Sequence, residues 1–262
     1  MPHYIKVSQT ASTNTYLSRL AATLPGGTVI YTPSQTAGRG QKGNSWESED
    51  GKNLTFSHLL KRPPVKARDQ FYLSEAAALA VVEALTAEAG DGFAVKWPND
   101  VYWQDKKVCG MLLENSLDGS DIATCIVGIG INVNQERFLS DAPNPVSLIN
   151  ITSHEHDLMA LLKRVCSRIE ELVDSLNDEE ARKNLHQRYM ETLYRNDGQQ
   201  HPYEDAAGNR FMASVAGIAP DGTLTLLHED GTTHSYLFKE VKHIINNTVL
   251  QNVSNYKFRV FN

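Results

Sequence analysis

The segment of this chain richest in potential chemistry is Gly38-Arg39-Gly40-Gln41-Lys42-Gly43. Three glycines in six positions let a backbone fold closely around an anion and aim N–H groups at it, while Arg39 and Lys42 supply positive charge. That combination suits a phosphate or a carboxylate. The spacing also satisfies the G-x-G-x-x-G pattern of dinucleotide-binding folds, but such a loop needs a helix directly after its last glycine. Here Asn44-Ser45-Trp46-Glu47-Ser48-Glu49-Asp50-Gly51 follows, a poor helix. A P-loop is missed more narrowly, because Asn44-Ser45 stands where Lys-Ser/Thr is required. Both standard nucleotide loops are disfavoured, and anion binding competes with a surface loop whose glycines serve turns.

Two further constellations carry chemistry. In Lys96-Trp97-Pro98-Asn99-Asp100 an apolar strand delivers a lysine, a large aromatic and two short polar side chains at a rigid turn. Seven residues later, Lys107-Val108-Cys109-Gly110-Met111-Leu112-Leu113-Glu114 alternates so as to turn Lys107, Cys109 and Met111 to one face. Lys107 is then either a snorkelling edge residue or a charge facing a ligand. The third constellation, Gly128-Ile129-Gly130-Ile131-Asn132-Val133-Asn134, is a strand in which glycine permits close approach by a ligand or another backbone, or simply tight sheet packing. No G-x-S-x-G, H-E-x-x-H or EF-hand pattern occurs, and His154-Glu155-His156 sits at a predicted helix start with no third ligand nearby, so no protein-held metal is expected.

The elements that must position these residues follow from periodicity. Ser12-Thr13-Asn14 precedes a short helical run over 15–22, and strands are predicted over 28–32 and 54–60. Leu73, Ala77, Ala80, Val81 and Leu85 form one face of a helix over 69–89. Successive strands over 93–97, 101–103, 108–115 and 122–133 are joined by short turns, which makes them antiparallel neighbours. Thr152 with Glu155 resembles a capping box opening a helix that runs to Leu176, and a third helix is expected over 178–193. Beyond a boundary near residue 196, hairpin signals at Gly208-Asn209, Asp221-Gly222 and Asp230-Gly231 predict a small barrel, with 246–262 as a tail that includes an added edge strand.

Composition bounds the classes of function. The 262 residues are 41% hydrophobic and 21% charged, near the globular average, and 25 basic against 31 acidic residues give a net charge of −6. No global basic field gathers nucleic acid or anionic lipid. Cys109, Cys125 and Cys166 are odd in number and far apart, which fits a reducing compartment rather than a disulfide framework. With no signal peptide and no long apolar run, a cytoplasmic protein without membrane partners is expected.

In this order, Ser12-Thr13-Asn14, Gln35-Thr36-Ala37-Gly38-Arg39-Gly40, Lys96-Trp97-Pro98-Asn99-Asp100, Lys107-x-x-Gly110 with Glu114, and Gly128-Ile-Gly130-Ile-Asn132 resemble the biotin protein ligases. The resemblance implies an α+β class II synthetase-like catalytic domain over 1–195, a mixed and mostly antiparallel sheet flanked by helices, followed by an SH3-like β domain with its tail over 196–262. It implies that biotin and ATP, with Mg²⁺, form biotinyl-5′-AMP, and that a lysine of a biotin carboxyl carrier protein then takes the biotin.

By the same resemblance, Arg39, Lys107 and Asp100 are the catalytic residues. Arg39 and Lys107 neutralise charge in the first step, and Asp100 orients or deprotonates the acceptor lysine. Biotin is held by Ser12, Thr13, Asn14, Gln35, Arg39, Gly40, Gln41, Lys107, Gly110 and Gly130. The adenylate is held by Gly38, Arg39, Gly40, Gln41, Lys42, Gly43, Trp46, Lys96, Asn99 and Asn132, with Trp46 stacking or covering the adenine. Gln41 and Lys42 replace the two arginines of better-known members, which implies looser retention of biotinyl-AMP and some promiscuous lysine labelling. The catalytic motif begins at residue 12, leaving no room for the DNA-binding domain of some members, so no operator binding is expected. Monomer and homodimer both stay open, and lipoate or octanoate attachment and a non-enzymatic biotin sensor are the alternatives.

Overall fold

Residues 2–40, 45–139 and 144–245 are described by the computed structural model, and the chain divides into two units, Met1–Tyr194 and Arg195–Asn262. The first is built on seven strands: β1 (His3–Lys6), β2 (Thr28–Tyr31), β3 (Leu54–Lys61), β4 (Phe93–Lys96), β5 (Asp100–Trp103), β6 (Lys106–Asp118) and β7 (Asp121–Ile131). They lie in the order β1-β2-β3-β7-β6-β5-β4, with β1 parallel to β2 and every other pair antiparallel. This is the mixed, mostly antiparallel α+β sheet that the strand pattern and the resemblance imply. The short and half-exposed β1 escapes the periodicity argument because four residues carry almost no pattern.

Two faces of the sheet are covered differently. Helix α1 (Thr13–Leu20) packs Leu17, with Ala21 just beyond it, against Ile30, Leu59 and Ile126. The opposite face meets α4 (Leu158–Asp174), whose Glu170 reaches His58, the residue next to Leu59 and therefore on the other side of β3. Helix α2 (Phe71–Ala89) lies against α4, α5 (Glu179–Glu191) and strands β4 and β5. Leu73, Ala77, Ala80, Val81 and Leu85 are all fully buried, but so are Ala76 and Ala78. A helix surrounded on most sides needs small residues all round rather than a single stripe.

Three boundaries differ from expectation. Helix α1 starts at Thr13, because Ser12 itself is the N-cap and accepts from the Thr15 amide. Thr152 does not open a helix. It closes the short α3 (Leu148–Thr152), whose capping box is Ser147 with Asn150, and α4 is capped instead by Asp157. His154 and His156 lie between these helices, where His156 Nδ1 meets Glu88 and Nε2 meets Thr152 Oγ1.

The second unit is a five-stranded antiparallel sheet of β8 (His201–Asp205), β9 (Arg210–Ile218), β10 (Leu224–His228), β11 (Thr233–Tyr236) and β12 (Val241–His243), ordered β11-β10-β9-β8-β12. Its hairpins fall where the sequence signals them. At Asp230-Gly231 the aspartate accepts from the Thr232 amide and the glycine takes φ 84°, a left-handed value that costs other residues strain. The tail over 246–262 lies outside the described residues, as does its suggested edge strand. Among the described residues, no helix is long and apolar enough to cross a membrane.

One buried pair makes the first unit sensitive to pH. Glu75 on α2 is nearly inaccessible and bonds His186 Nδ1 on α5 at 2.7 Å. Burial raises the Glu75 carboxyl even though His186 pulls it down, and the bond to Glu75 raises the His186 imidazole. Both shifts mean that the folded state holds protons more tightly than the unfolded one. The stability they contribute is complete below the unfolded pKa values and is lost as pH rises through the folded ones. Glu75→Gln removes both shifts together. As pH rises through and above the ordinary histidine range the wild type should therefore lose more thermal stability than Glu75→Gln. Parallel melting-temperature profiles for the two proteins would show that the pair carries no such linkage.

Candidate active site

On the α1 face, the three central strands bring two rows of residues into register. Thr55, Gly130 and Gly110 stand side by side across β3, β7 and β6, as do Ser57, Gly128 and Leu112 one step along. Three of these six positions have no side chain, so the sheet presents bare backbone there. A Cβ at Gly128 would lie 2.2 Å from Asn14 Oδ1, and one at Gly130 would lie 2.4 Å from the Trp46 indole. The same indole is 3.1 Å from the position of a Gly110 Cβ. Asn14 and Trp46 thus rest directly on the glycine floor.

Polar residues of the α1 N-terminus line one end. The Thr13 amide donates to Gln35 Oε1 at 2.9 Å, and the Thr13 hydroxyl lies 3.4 Å from the same oxygen. Ser57, fully buried on β3, reaches Asn14 Oδ1 at 2.5 Å and Thr13 Oγ1 at 2.8 Å. Asn14 Nδ2 donates to Leu112 O and to Glu114 Oε2. Arg39 Nη2 donates to Thr15 Oγ1 at 2.9 Å and lies 3.5 Å from Glu114 Oε1. The glycine segment is closed at its base by the Trp46 amide donating to Gly38 O and by a bridge between Arg39 and Ser45. Gly38 is required there, since a Cβ would stand 2.5 Å from Trp46 O. Gly40 is half-buried beside this bridge. Gln41, Lys42 and Gly43 lie outside the described residues.

At the other end a β-bulge overturns the expected alternation. Asp100 pairs with Gly110 and Val101 with Cys109, but Tyr102 pairs with Lys107, so Val108 is the extra residue. Lys107 is therefore turned onto the face of Gly110 and Asp100, away from that of Cys109 and Met111. Its Nζ pairs with Asp100 Oδ1 at 2.8 Å and lies 5.8 Å from the centre of the Trp46 ring. Cys109 is fully buried, and burial drives its thiol far above the ordinary range, so no thiolate nucleophile lies beneath the floor.

Several predicted contacts serve the framework. Asn99 Nδ2 donates to Met111 O, fixing the turn that follows the cis Trp97–Pro98 peptide. Lys96 Nζ sits 5.2 Å from the Tyr102 ring centre, on the face shared with Asp100. Asn132 Nδ2 donates to Val146 O at 3.1 Å, tying β7 to the chain beside Lys107, while Asn132 Oδ1 is buried without a partner. The Trp46 Nε1–H is buried and unpaired as well. Such groups in a native site call for a ligand or water.

Two cations expected to act together stand apart. Arg39 is at Glu114, four residues along β6 from Gly110, a separation of about 13 Å of strand from the Lys107 end. The structure also assembles residues that the motif analysis missed. Thr55 and Ser57 are polar positions two apart in a buried strand, on the face opposite His58, a signal visible in Leu54-Thr-Phe-Ser-His-Leu-Leu60. Gln135, also buried, accepts from the Glu49 amide and from Asn53 Nδ2 and donates to Glu47 Oε1, which stitches the chain after Trp46 to the chain after β7. Neither Glu47 nor Gln135 lies in a recognisable pattern. Among the described residues no group of three or more His, Cys, Asp or Glu side chains could hold a metal.

The comparisons with known proteins agree on one family. A sequence profile of the biotin/lipoate A/B protein ligase family matches residues 7–132. The chain is similar to the biotin--[acetyl-CoA-carboxylase] ligase of Paracoccus denitrificans, 36% identical over 157 residues that are 58% of this chain and 65% of that protein. It is similar to the bifunctional ligase/repressor BirA of Bacillus spizizenii, 39% identical over 112 residues that are 43% of this chain. The match spans only 34% of the Bacillus protein. Among solved structures, the biotin protein ligase of Aquifex aeolicus in complex with biotin and ATP superposes with a TM-score of 0.76 at 29% identity, covering 93% of this chain and 100% of that one.

The floor predicts a contrast between two glycines. Asn14 is pinned by hydrogen bonds and only 4% exposed, so Gly128→Ala has nowhere to put its methyl and should cost about 1–3 kcal/mol. Trp46 is half-buried on a loop and can swing aside, so Gly130→Ala should cost under about 1 kcal/mol while moving the tryptophan emission to longer wavelength. Thermal unfolding and emission spectra of both variants check this. Equal destabilisation would show that Asn14 and Trp46 are not held differently.

Proposed function

We propose that this chain, which over residues 7–132 belongs to the biotin/lipoate A/B protein ligase family, is a biotin protein ligase acting on MgATP and on a lysine of a biotin carboxyl carrier protein. The observation that supports this most is the bare floor of Gly110, Gly128 and Gly130, with a hydrogen-bonding cluster at one end and Lys107 at the other. A small polar bicycle with a carboxylate tail has that form. Thr13, Gln35, Ser12 and Asn14 surround the end suited to the ureido ring, and the tail runs along Gly130 and Gly110 towards Lys107.

The chemistry then places charge where the chain has cations. A biotin carboxylate oxygen attacks the α-phosphorus of ATP, the bond to the bridging oxygen breaks, and pyrophosphate leaves. Two anions approach in this step, so Lys107, fixed by Asp100 at 2.8 Å, is the group best placed to lower their repulsion. Arg39, held by Thr15 at the polar end of the floor, adds its charge there. Trp46, lying on the tail's path, is displaced to cover the adenylate, and Asn132 Oδ1 is the acceptor available beside it. Lys96, Asn99, Gly38, Gly40, Gln41, Lys42 and Gly43 complete the adenylate site in this reading. In the second step the carrier's amine attacks the anhydride carbonyl and AMP leaves with its electron pair. Asp100 orients that amine or takes its proton.

The relatives suggest the partner. A biotin--[acetyl-CoA-carboxylase] ligase from Paracoccus denitrificans points to a carboxylase carrier domain as the acceptor here. The test is pyrophosphate release from MgATP with biotin, with lipoate in parallel, and with a carrier domain probed for biotin afterwards. Biotin-dependent release followed by carrier labelling is expected, and Lys107→Ala should slow the first step by about 100-fold or more. Release with lipoate alone, or an unimpaired Lys107→Ala, would contradict the assignment.

A further inference from the structure

Glu114 has no task in the chemistry just described, yet two halves of the site meet on it. It projects from the same face of β6 as Gly110 and Leu112, accepts from Asn14 Nδ2 at 2.7 Å through Oε2, and lies 3.5 Å from Arg39 Nη2 through Oε1. Asn14 comes from the α1 N-terminus and Arg39 from the glycine segment. Glu114 is the one side chain among the described residues that the structure places in hydrogen-bonding contact with both.

Its effect on Asn14 is directional. The amide lies flat on Gly128, where a Cβ would stand 2.2 Å away, and can take only two orientations about its last torsion. In the observed one, Nδ2 faces two acceptors, Leu112 O and the Glu114 carboxylate, while Oδ1 faces the Ser57 hydroxyl. The flipped amide would set Oδ1 against both acceptors with no proton between them. An acceptor at 114, added to Leu112 O, therefore selects one orientation. The choice propagates: Asn14 Oδ1 can only accept, so it draws the Ser57 proton, which is shared with Thr13 Oγ1 at 2.8 Å, while the Thr13 hydroxyl faces Gln35 Oε1. Arg39 feels the same carboxylate. That ion pair is about half exposed on both sides, at 49% and 41%, and such pairs contribute little to stability. What the carboxylate supplies is orientation.

We propose that Glu114 is a positioning residue for the biotin site, setting the hydrogen-bond direction along Asn14, Ser57 and Thr13 and anchoring Arg39 beside them. The inference rests on the ligase reading. Its contact with Asn14 acts on biotin recognition and lies far from Lys107 and Asp100 at the other end of the floor, while its contact with Arg39 is the one route to the adenylate step.

The test uses the full chain with Glu114→Ala and Glu114→Gln, measuring biotin KM, ATP KM and kcat for pyrophosphate release together with thermal unfolding. Glu114→Ala should raise the biotin KM about tenfold, the loss expected for one charged hydrogen bond, with a smaller change in ATP KM and kcat passed on through Arg39. Glu114→Gln keeps an acceptor for Asn14 and loses only the charge towards Arg39, so it should recover most of the biotin KM. A wild-type biotin KM in Glu114→Ala overturns the inference while leaving the ligase reading intact. So does a parallel loss of biotin KM, ATP KM and melting temperature, which would mark a merely structural residue. A wild-type protein that neither binds biotin nor releases pyrophosphate overturns the ligase reading, and the inference with it.

Discussion

The missing side chains at Gly110, Gly128 and Gly130 are the constraint on which the rest of the first unit depends. A strand glycine is destabilising by roughly 0.5–1 kcal/mol relative to alanine, and three of them cluster on adjacent central strands. The sheet must then be held from its other side. There Phe56, Val127, Ile129, Cys109 and Met111 are buried, and the Ala-rich α2 and the amphipathic α4 complete the core. The open face is kept flat by removing Cβ atoms, and the opposite face carries the apolar burial that keeps it in place.

Flatness alone selects nothing, and selectivity comes from polar groups whose directions are set in advance. At the α1 end nearly every donor has an assigned acceptor, from the Thr13 amide on Gln35 to Asn14 on Glu114. At the Lys107 end the accounting is incomplete, with Trp46 Nε1 and Asn132 Oδ1 buried and unpaired. A preorganised recognition end and an unsatisfied reactive end are what a site needs if it grips a substrate first and assembles a transition state afterwards. Lys107 reaches that reactive end through the bulge at Val108, which disrupts the ladder locally and turns the cation over the floor.

Much of this was legible in the residues, for identifiable reasons. The central strands, α2, α4 and α5 all carry enough period to be read, and the hairpins of the second unit are marked by Asp-Gly and Gly-Asn pairs at their turns. What escaped reading was set by long-range contact or by a break in period. The bulge at Val108 cannot be foreseen from alternation, because alternation is what it violates, and it reverses the face on which Lys107 lies. Thr152 and Glu155 have the spacing of a capping box, yet Ser147 and Asp157, each with its own local hydrogen bonds, take the caps. Ser57 and Glu114 act through residues more than forty positions away, so their partners cannot be read from the local sequence even where the residues themselves stand out. The motif residues were easier to find than their geometry, which places Arg39 and Lys107 at opposite ends of the floor.

The central claim is that the glycine floor is where the ligand lies, and a crystal structure of the protein with biotin tests it most directly. The account predicts the ring system beside Thr13, Gln35 and Gly128, the carboxylate tail running over Gly130 and Gly110 towards Lys107, and the Trp46 indole moved off the floor. Biotin bound elsewhere, or an indole still seated on Gly110 and Gly130 with biotin present, would contradict it.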